Sequence, residues 1–429
     1  MLAEFHRDTA KGVHGFPKAN MFDQPELETL LRSNLKTRST VRLRGNCEVT
    51  DVTQHEPDRV RITFTDRATG KENVVDTSYV LGCDGANSIV RASIGATMQD
   101  LRFEQRWLVV DVITEADLNQ WDGVHQVCNP VRAATYMRIG PARYRWEFRL
   151  LPNETAGDYG TLGTLRSLIA PWVNDIDDAD LELVRVTEYT FRAQIADSWR
   201  DRNVLILGDA AHLTPPFIGQ GMGAGLRDAM NLVWKLAGVI RGDFSPQVLD
   251  TYELERKPHA RTMIGLALGM GRAMTAGGRV GNTIRRVVAP RLHLIPGMRE
   301  RIINGNTPAL RRNPLVIKGR GPRQLAGTLC PNPVLACGER LDARLGNGFA
   351  LVTTSPPHAL QCALLEERGA VVLVAEPDGE LARWLRRGRA TAAIIRPDRT
   401  VMLTGRNVRK LCAAMPVFAK VVHADRSER

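Results

Sequence analysis

The stretch from Asn203 to Ala237, NVLILGDAAHLTPPFIGQGMGAGLRDAMNLVWKLA, holds the densest set of groups able to bind a cofactor. Its apolar opening, Asn203 to Leu207, reads as one buried strand, and it ends at Gly208-Asp209. A loop with Pro215-Pro216 and Gly219-Gln220-Gly221 follows, and a helix begins between Gly221 and Gly225. A carboxylate at the end of a strand accepts hydrogen bonds from polyol hydroxyls, while the free N–H groups of a helix N-terminus attract an anionic part of the same ligand. Gly208 and Asp209 then supply one contact, and the backbone amides around Gly221, Met222 and Gly223 supply the other. A Gly-Asp pair after a strand also serves plain packing; only the whole string in register argues for a ligand.

A second constellation lies upstream in YVLGCDGANSIVR, residues 79 to 91. A strand runs into Asp84-Gly85, and Arg91 stands where a short helix brings it back toward the turn, to meet a phosphate or to pair with Asp84. The plainer alternative is that Asp84 caps that helix and Arg91 faces solvent. Gln24, in MFDQPELE, sits just before Pro25 at the start of a helix, either as a ligand contact or as an ordinary polar N-terminus.

The elements that must position these groups are legible from periodicity. Leu27, Leu30, Leu31 and Leu35 recur at helical spacing behind Pro25. Alternating runs at Thr40–Leu43, Glu48–Thr53, Val60–Thr65 and Val74–Leu81 predict a strand meander whose last strand enters Gly82-Cys83-Asp84-Gly85. From Trp107 to Arg192 the segments RWLVVDVI, ATYMRIG, RYRWEFRLL and LVRVTEYTF predict strands, with one helix over Leu162–Val173; too few helices remain for crossovers, so the sheet is antiparallel. In the helix running to Arg241, Leu226, Met230, Val233, Ala237 and Ile240 form one apolar stripe, expected to face the core. Helical sequence continues to about Arg301, a Pro, Gly and Arg-rich segment spans 304–327 as a linker or extended wrap, and FALVTT, VVLVAE and TAAIIRPD predict strands of a small α/β unit.

Composition narrows the function classes. The 429 residues are 43% hydrophobic and 24% charged, a globular balance with length for two to four domains. The net charge of +11 is spread over scattered arginines without a nucleic-acid motif, so it suits small anionic ligands better than a polyanion. Seven cysteines include no CxxC and no zinc-ligand spacing, which predicts reduced thiols and no metal. The N-terminus has no signal-peptide pattern, and the longest apolar stretch, Met263 to Met270, is too short for a bilayer. A cytoplasmic protein that binds neither membrane nor nucleic acid is the expectation.

In Gly208-Asp209-Ala210-Ala211-His212, Pro215-Pro216 and Gly219-Gln220-Gly221, with Asp84-Gly85, Ser88 and Arg91 before them in the expected order, the chain resembles the class A FAD-dependent aromatic monooxygenases. This is the family of p-hydroxybenzoate and phenol hydroxylases, and the likeness is greatest to its 3-(3-hydroxyphenyl)propionate hydroxylase branch. The resemblance covers nearly the whole chain. It implies an α/β fold: an incomplete FAD-binding domain with an inserted antiparallel β substrate domain and a C-terminal thioredoxin-like domain. The implied division is 1–105 and 196–303 for the two parts of the FAD-binding domain, 106–195 for the substrate domain, 304–327 for the linker and 328–429 for the C-terminal unit.

The same resemblance implies FAD with NADH or NADPH, and a flavin C4a-hydroperoxide that transfers oxygen ortho to the hydroxyl of a phenolic aromatic acid. The cofactor carries the hard chemistry. Asp209 would accept the ribityl hydroxyls, Met222 and Gly223 would meet the flavin C2 carbonyl, and Gln24, Asp84, Gly85 and Arg91 would complete the cofactor site. Pro216, through its carbonyl, would face the substrate hydroxyl; Trp146 and Phe148 would wall the pocket; His212 would serve structurally or as a base. The partners implied are a small aromatic substrate and O2, and a homodimer is allowed.

The sequence also departs from the pattern. Family members open with a βαβ unit carrying GxGxxG and an acidic ribose ligand, and neither is found here, so the expectation is an N-terminally truncated chain. Gly223 stands where the family usually has Asn, a change that leaves a backbone contact intact. The alternatives are a non-catalytic remnant and another flavin oxidoreductase of the same fold.

Overall fold

The computed structural model describes residues 12–417 except 18–19, 122, 130, 174–175, 276–277, 289–306 and 320–323. The helical sequence expected from 289 to 301 and parts of the expected linker therefore lie outside the described residues.

Helix α1, Gln24–Lys36, forms as its spacing predicts, yet buries no residue; Leu30 and Leu31 face solvent. An antiparallel meander follows, β1 (Cys47–Glu56), β2 (Arg59–Asp66) and β3 (Lys71–Thr77), paired in that order. Thr40–Leu43 is not a strand, and Val41 and Leu43 are exposed. The run Val74–Leu81 is two strands, because the chain leaves the meander after Thr77 and β4 (Val80–Gly82) joins a different sheet. Continuous β-branched sequence hides such a switch, since both strands satisfy the same propensity.

In that second sheet β4 lies parallel to β11 (Val204–Ile206), pairing Val80 with Val204 and Gly82 with Ile206, and the two-residue β10 (Arg200–Asp201) flanks β11. The pairing sets the ends of two distant strands side by side. Helix α4 (Gly221–Arg241) and helix α5 (Asp250–Thr275) pack behind them, with Val204, Leu205, Ile206, Leu232, Leu249 and Tyr252 in one core.

The middle of the chain folds as an antiparallel six-stranded sheet in the order β12-β9-β5-β8-β7-β6: β5 (Met98–Ile113), β6 (His125–Val127), β7 (Ala134–Arg138), β8 (Arg143–Arg149), β9 (Glu182–Ala196) and β12 (His212–Leu213). Helix α3 (Leu162–Val173) covers one face, where Leu108, Val110, Trp146, Phe148, Leu165 and Ile169 make an apolar core. The long β5–β9 ribbon belongs to both cores, because Met98, Ile195 and Ala196 pack with the parallel strands.

The C-terminal unit has strands β13 (Ala350–Thr353), β14 (Val371–Val374), β15 (Ala392–Ile395) and β16 (Val401–Gly405) in the order β14-β13-β15-β16. The first two are parallel and the others antiparallel, with helices Ala359–Glu367, Glu380–Arg387 and Val408–Ala414 between and after them. The described part of 304–327 is an extended wrap: Gly327 N–H donates to Val401 and Ile317 N–H to Met402, and Leu315 and Val316 are buried.

Helix α4 reverses the expected orientation. Leu226, Met230, Val233 and Ile240 are exposed, whereas Asp228, Asn231 and Lys235 are buried with Leu232 and Leu236. The charged stripe can enter the core because α5 and β15 present matched partners. Glu255 of α5 accepts from Asn231 Nδ2 at 2.6 Å and Lys235 Nζ at 3.0 Å, and Arg396, just beyond β15, grips both Glu255 oxygens at 2.7 and 2.9 Å. Lys235, Glu255 and Arg396 are completely buried, and Arg396 also stacks over Trp234 at 5.3 Å. Arg396 and Lys235 outweigh the cost of burial and hold the Glu255 carboxyl down at about 2, while burial lowers the Lys235 ammonium to about 8 against the pull of Glu255.

Candidate cofactor site

Gly208 closes β11 with φ at +58°, and its Cα lies 3.3 Å from the place a Cβ on Gly225 would occupy. Any side chain at 225 would push the strand-end turn away from the first turns of α4. The two glycines thus bring Asp209 against the helix N-terminus by direct backbone contact. A third support is chemical: Gly208 N–H donates to the buried Asp228 carboxylate one turn along α4, at 3.1 Å.

At that junction several polar groups lack protein partners. Asp209 is exposed, and no hydrogen bond to its carboxylate is formed among the described residues; partial desolvation raises its pKa, with His212 opposing. Gln220 gives α4 no side-chain cap, and the first backbone bond into the helix is Ala224 N–H to Gln220 carbonyl, so the amides of Gly221, Met222 and Gly223 are left for another acceptor. Arg227 reaches back along the helix to give Gln220 Oε1 a 2.7 Å bond, while its Nη1 is buried without a partner. Burial and the nearby Arg256 lower the Arg227 pKa against the pull of Asp228. An acceptor-only carboxylate beside an uncapped, cationic helix N-terminus fits the polyol chain and anionic ring edge of FAD.

The Asp84 turn is tied to the same place. Asp84 accepts from Ser88 Oγ at 2.6 Å and Val90 N–H at 3.1 Å, and Ser88 caps the short helix α2 (Ile89–Ser93) through Arg91 N–H. Gly85 takes φ +78° in the turn. Arg91 makes no bond to Asp84; its guanidinium donates to the carbonyls of Ala210 at 3.0 Å and Ala86 at 2.9 Å, and so bolts the two turns together. Gln24 is exposed at the first position of α1, and the neighbouring bond that anchors it, Asp23 to Arg143 at 2.9 Å, leads to the sheet. Among the described residues no hydrogen bond joins Gln24 to the Asp209 junction.

The substrate side differs from the sequence expectation. Trp146 and Phe148 point to α3 on the far face of the sheet, so they do not wall this site. The opposite face carries Trp107, with Phe103, Ala133 and Phe191, and they pack with Met274 of α5 against Phe217, the residue after Pro216. Phe103 meets Phe217 edge-on at 5.6 Å and Trp107 meets it at 6.2 Å. Residues 107–112 are all buried, which removes the alternation that would have told the two faces apart.

His212 is buried, with Nε2 2.8 Å from Asp228 and its ring 5.3 Å from Trp199. Among the described residues there is no cluster of three His, Cys, Asp or Glu able to hold a metal, and no helix long and apolar enough to cross a membrane.

Comparison with known proteins agrees with this architecture. The profile of the FAD binding domain family matches residues 6–267. A probable NADH-specific resorcinol 4-hydroxylase of Rhodococcus jostii is 38% identical over 264 residues, 62% of this chain and 49% of that protein. A 3-(3-hydroxy-phenyl)propionate/3-hydroxycinnamic acid hydroxylase of Burkholderia cenocepacia is 31% identical over 421 residues, 90% of this chain and 76% of that protein. The chain thus spans about half the length of the first relative and about three quarters of the second. Among solved structures, a ternary complex of aklavinone-11 hydroxylase with FAD and aklavinone shares the fold, with a TM-score of 0.74 at 22% identity over 93% of this chain and 78% of that one. With the profile covering more than half of its residues, and the site fitting the cofactor, the chain belongs to the FAD binding domain family.

Proposed function

We propose that this protein is an FAD-dependent monooxygenase that takes electrons from NADH or NADPH and hydroxylates a phenolic aromatic acid ortho to its hydroxyl. The observation that carries the reading is the partnerless Asp209 carboxylate held against the uncapped N-terminus of α4. FAD, when bound, would accept the hydride of NADH or NADPH and, once reduced, activate O2. Asp209 orients the polyol chain, the amides of Gly221, Met222 and Gly223 with Arg227 stabilise negative charge at the ring edge, and Asp84, Gly85 and Arg91 fix the turn beside them. The apolar wall of Trp107, Phe103, Phe191 and Phe217 keeps water out and stacks an aromatic ring near the Pro216 carbonyl. The excess positive charge draws in the anionic phosphates of NADH or NADPH and a carboxylated substrate. The names of the relatives, a resorcinol hydroxylase and a hydroxyphenylpropionate hydroxylase, support phenols as the substrate class.

Incubation of the FAD-supplemented protein with NADH or NADPH, 18O2 and either 3-(3-hydroxyphenyl)propionate or resorcinol tests this reading. One 18O in a catechol-type or ring-hydroxylated product is expected. Flavin binding with nicotinamide oxidation but no labelled product points to another flavin oxidoreductase, and absence of flavin binding points to a non-catalytic chain.

A further inference from the structure

The cofactor reading uses the surface of the Asp209 junction and leaves its buried support unexplained. Asp228 lies directly beneath, 0% exposed, with one carboxylate oxygen turned to the strand end and the other to α5. Oδ2 accepts from Gly208 N–H at 3.1 Å and meets His212 Nε2 at 2.8 Å; Oδ1 accepts from Arg256 Nε at 2.8 Å. Arg256 extends Nη2 to the carbonyl of Ala224 in the first turns of α4, at 3.3 Å, and Nη1 to His259 Nδ1, at 3.0 Å. One carboxylate and one guanidinium therefore span four elements: the end of β11, β12, α4 and α5.

The charge state of the pair follows from its surroundings. Burial alone would raise the Asp228 carboxyl, but the hydrogen bond and charge of His212 and the charge of Arg256 hold it below the usual carboxylate range. Burial and Arg256 push His259 down to about 3, so it is the neutral acceptor that Arg256 Nη1 requires. An uncharged carboxamide at 228 has one acceptor oxygen and one donor NH2 for three donors arriving from two sides, so one side must meet a donor with a donor.

We infer that Asp228 is a positioning residue for flavin binding, and that with Arg256 it clamps the Gly208-Asp209 turn to the first turns of α4 at the separation the cofactor needs. The inference rests on the proposed FAD site. It makes the Asp228–Arg256 pair a determinant of flavin affinity and reduction potential, although neither side chain reaches the exposed face where the cofactor would lie. The titratable groups facing the clamp are the neutral acceptor His259, the buried His212, Tyr252 of α5 and Cys83 beyond β4, with Arg227 adjoining it on α4.

The test uses the whole chain, with Asp228→Asn, Arg256→Gln and Arg256→Lys beside wild type. Hydrogen exchange of the 204–212 segment is measured without cofactor; FAD affinity is read by fluorescence titration, and midpoint potential at saturating FAD. D228N is expected to speed exchange of 204–212 at least tenfold, weaken FAD at least tenfold and shift the potential, with exchange in 350–353 unchanged. R256Q should fall between D228N and wild type, and R256K, which keeps the charge, should return affinity to within about threefold of wild type. If D228N does not fold, the R256Q and R256K pair carries the same comparison. FAD affinity and 204–212 exchange in D228N or R256Q within twofold of wild type would overturn the clamp, as would R256K no better than R256Q. A wild type that binds no FAD contradicts the proposed function, and the exchange arm then decides the clamp alone: equal protection in wild type and variant overturns it.

Discussion

Two buried regions of this molecule are built on opposite principles. Between the six-stranded sheet and α3 the contacts are apolar, with Leu108, Val110, Trp146, Phe148, Leu165 and Ile169 filling the space. Between α4, α5 and the C-terminal unit an apolar cluster around Trp234 and Phe349 is joined by a charged ladder, with Asp228, Asn231, Lys235, Glu255, Arg256 and Arg396 all nearly or fully enclosed. Apolar packing tolerates small changes of shape and gives little directional control. A buried charged ladder contributes less net stability than its many bonds suggest, because desolvation offsets them, yet removal of one partner leaves a buried charge uncompensated, so each group needs its partner in place. In the proposed reading the difference follows the work of each region: the sheet core supports a wall, whereas the ladder sets the spacing of the elements that would meet FAD. Glu255 and Arg256 are consecutive on α5, one reaching Arg396 of the C-terminal unit and the other Asp228 beneath the flavin turn, so the C-terminal unit is joined to the cofactor junction through two adjacent residues.

The contrast breaks most visibly when one member of the ladder is removed. Glu255→Ala leaves Lys235 and Arg396 buried without their shared anion, and a loss of about 3–5 kcal/mol in unfolding free energy is expected by denaturant titration. A loss under about 1 kcal/mol would mean that water, or Asp398, which already pairs with Arg396 on the other edge of its guanidinium, replaces the carboxylate.

Acid sharpens the same point without mutation. The Glu255 carboxyl is held at about 2 in the folded chain against an ordinary 4.5. Its stabilisation is therefore complete above the ordinary value and fades as pH falls from about 4.5 toward 2, by on the order of 3 kcal/mol. Unfolding titrations of wild type and Glu255→Gln between pH 6 and pH 3 should converge as pH falls; parallel curves would remove Glu255 as the acid-sensitive group.

The apolar core gives smaller, graded effects. Ile169→Val in α3 should cost about 0.5–1.5 kcal/mol and leave FAD affinity within twofold. A tenfold change in affinity would show that the sheet core, too, positions the cofactor. The smallest effect is expected on the outer face of α4, where Leu226→Gln should alter stability by no more than about 0.5 kcal/mol; a loss above 2 kcal/mol would mean that Leu226 is covered in the protein in solution.

That last position also shows what sequence alone can yield. Leu226, Met230, Val233 and Ile240 share helical spacing, but so do Asp228, Asn231 and Lys235, and periodicity cannot say which stripe faces inward when the partner surface is itself charged. The counter-charges Glu255 and Arg396 lie 20 and 161 residues from Lys235, beyond the reach of local pattern. Trp107 is hidden for a related reason, since both faces of β5 are buried and its alternation vanishes; Trp146 and Phe148 stand out because β8 alternates cleanly, but alternation does not say which buried face meets the site. The Gly208-Asp209 turn, by contrast, was legible, because a positive φ and a backbone contact demand glycine at fixed positions, and Gly208 and Gly225 meet that demand through local geometry. The Asp84 turn was legible as a turn, though Arg91 spends its guanidinium on two carbonyls rather than on Asp84.

The central claim is that Asp209 and the N-terminus of α4 together hold FAD, and fluorescence titration of FAD into wild type and Asp209→Ala tests it most directly. Loss of one charge-assisted hydrogen bond costs about 1.5–3 kcal/mol, so Asp209→Ala should bind roughly tenfold to more than a hundredfold more weakly, with an unchanged melting temperature because the exposed carboxylate has no protein partner to lose. Equal affinity in the two proteins would contradict the account and place the cofactor elsewhere.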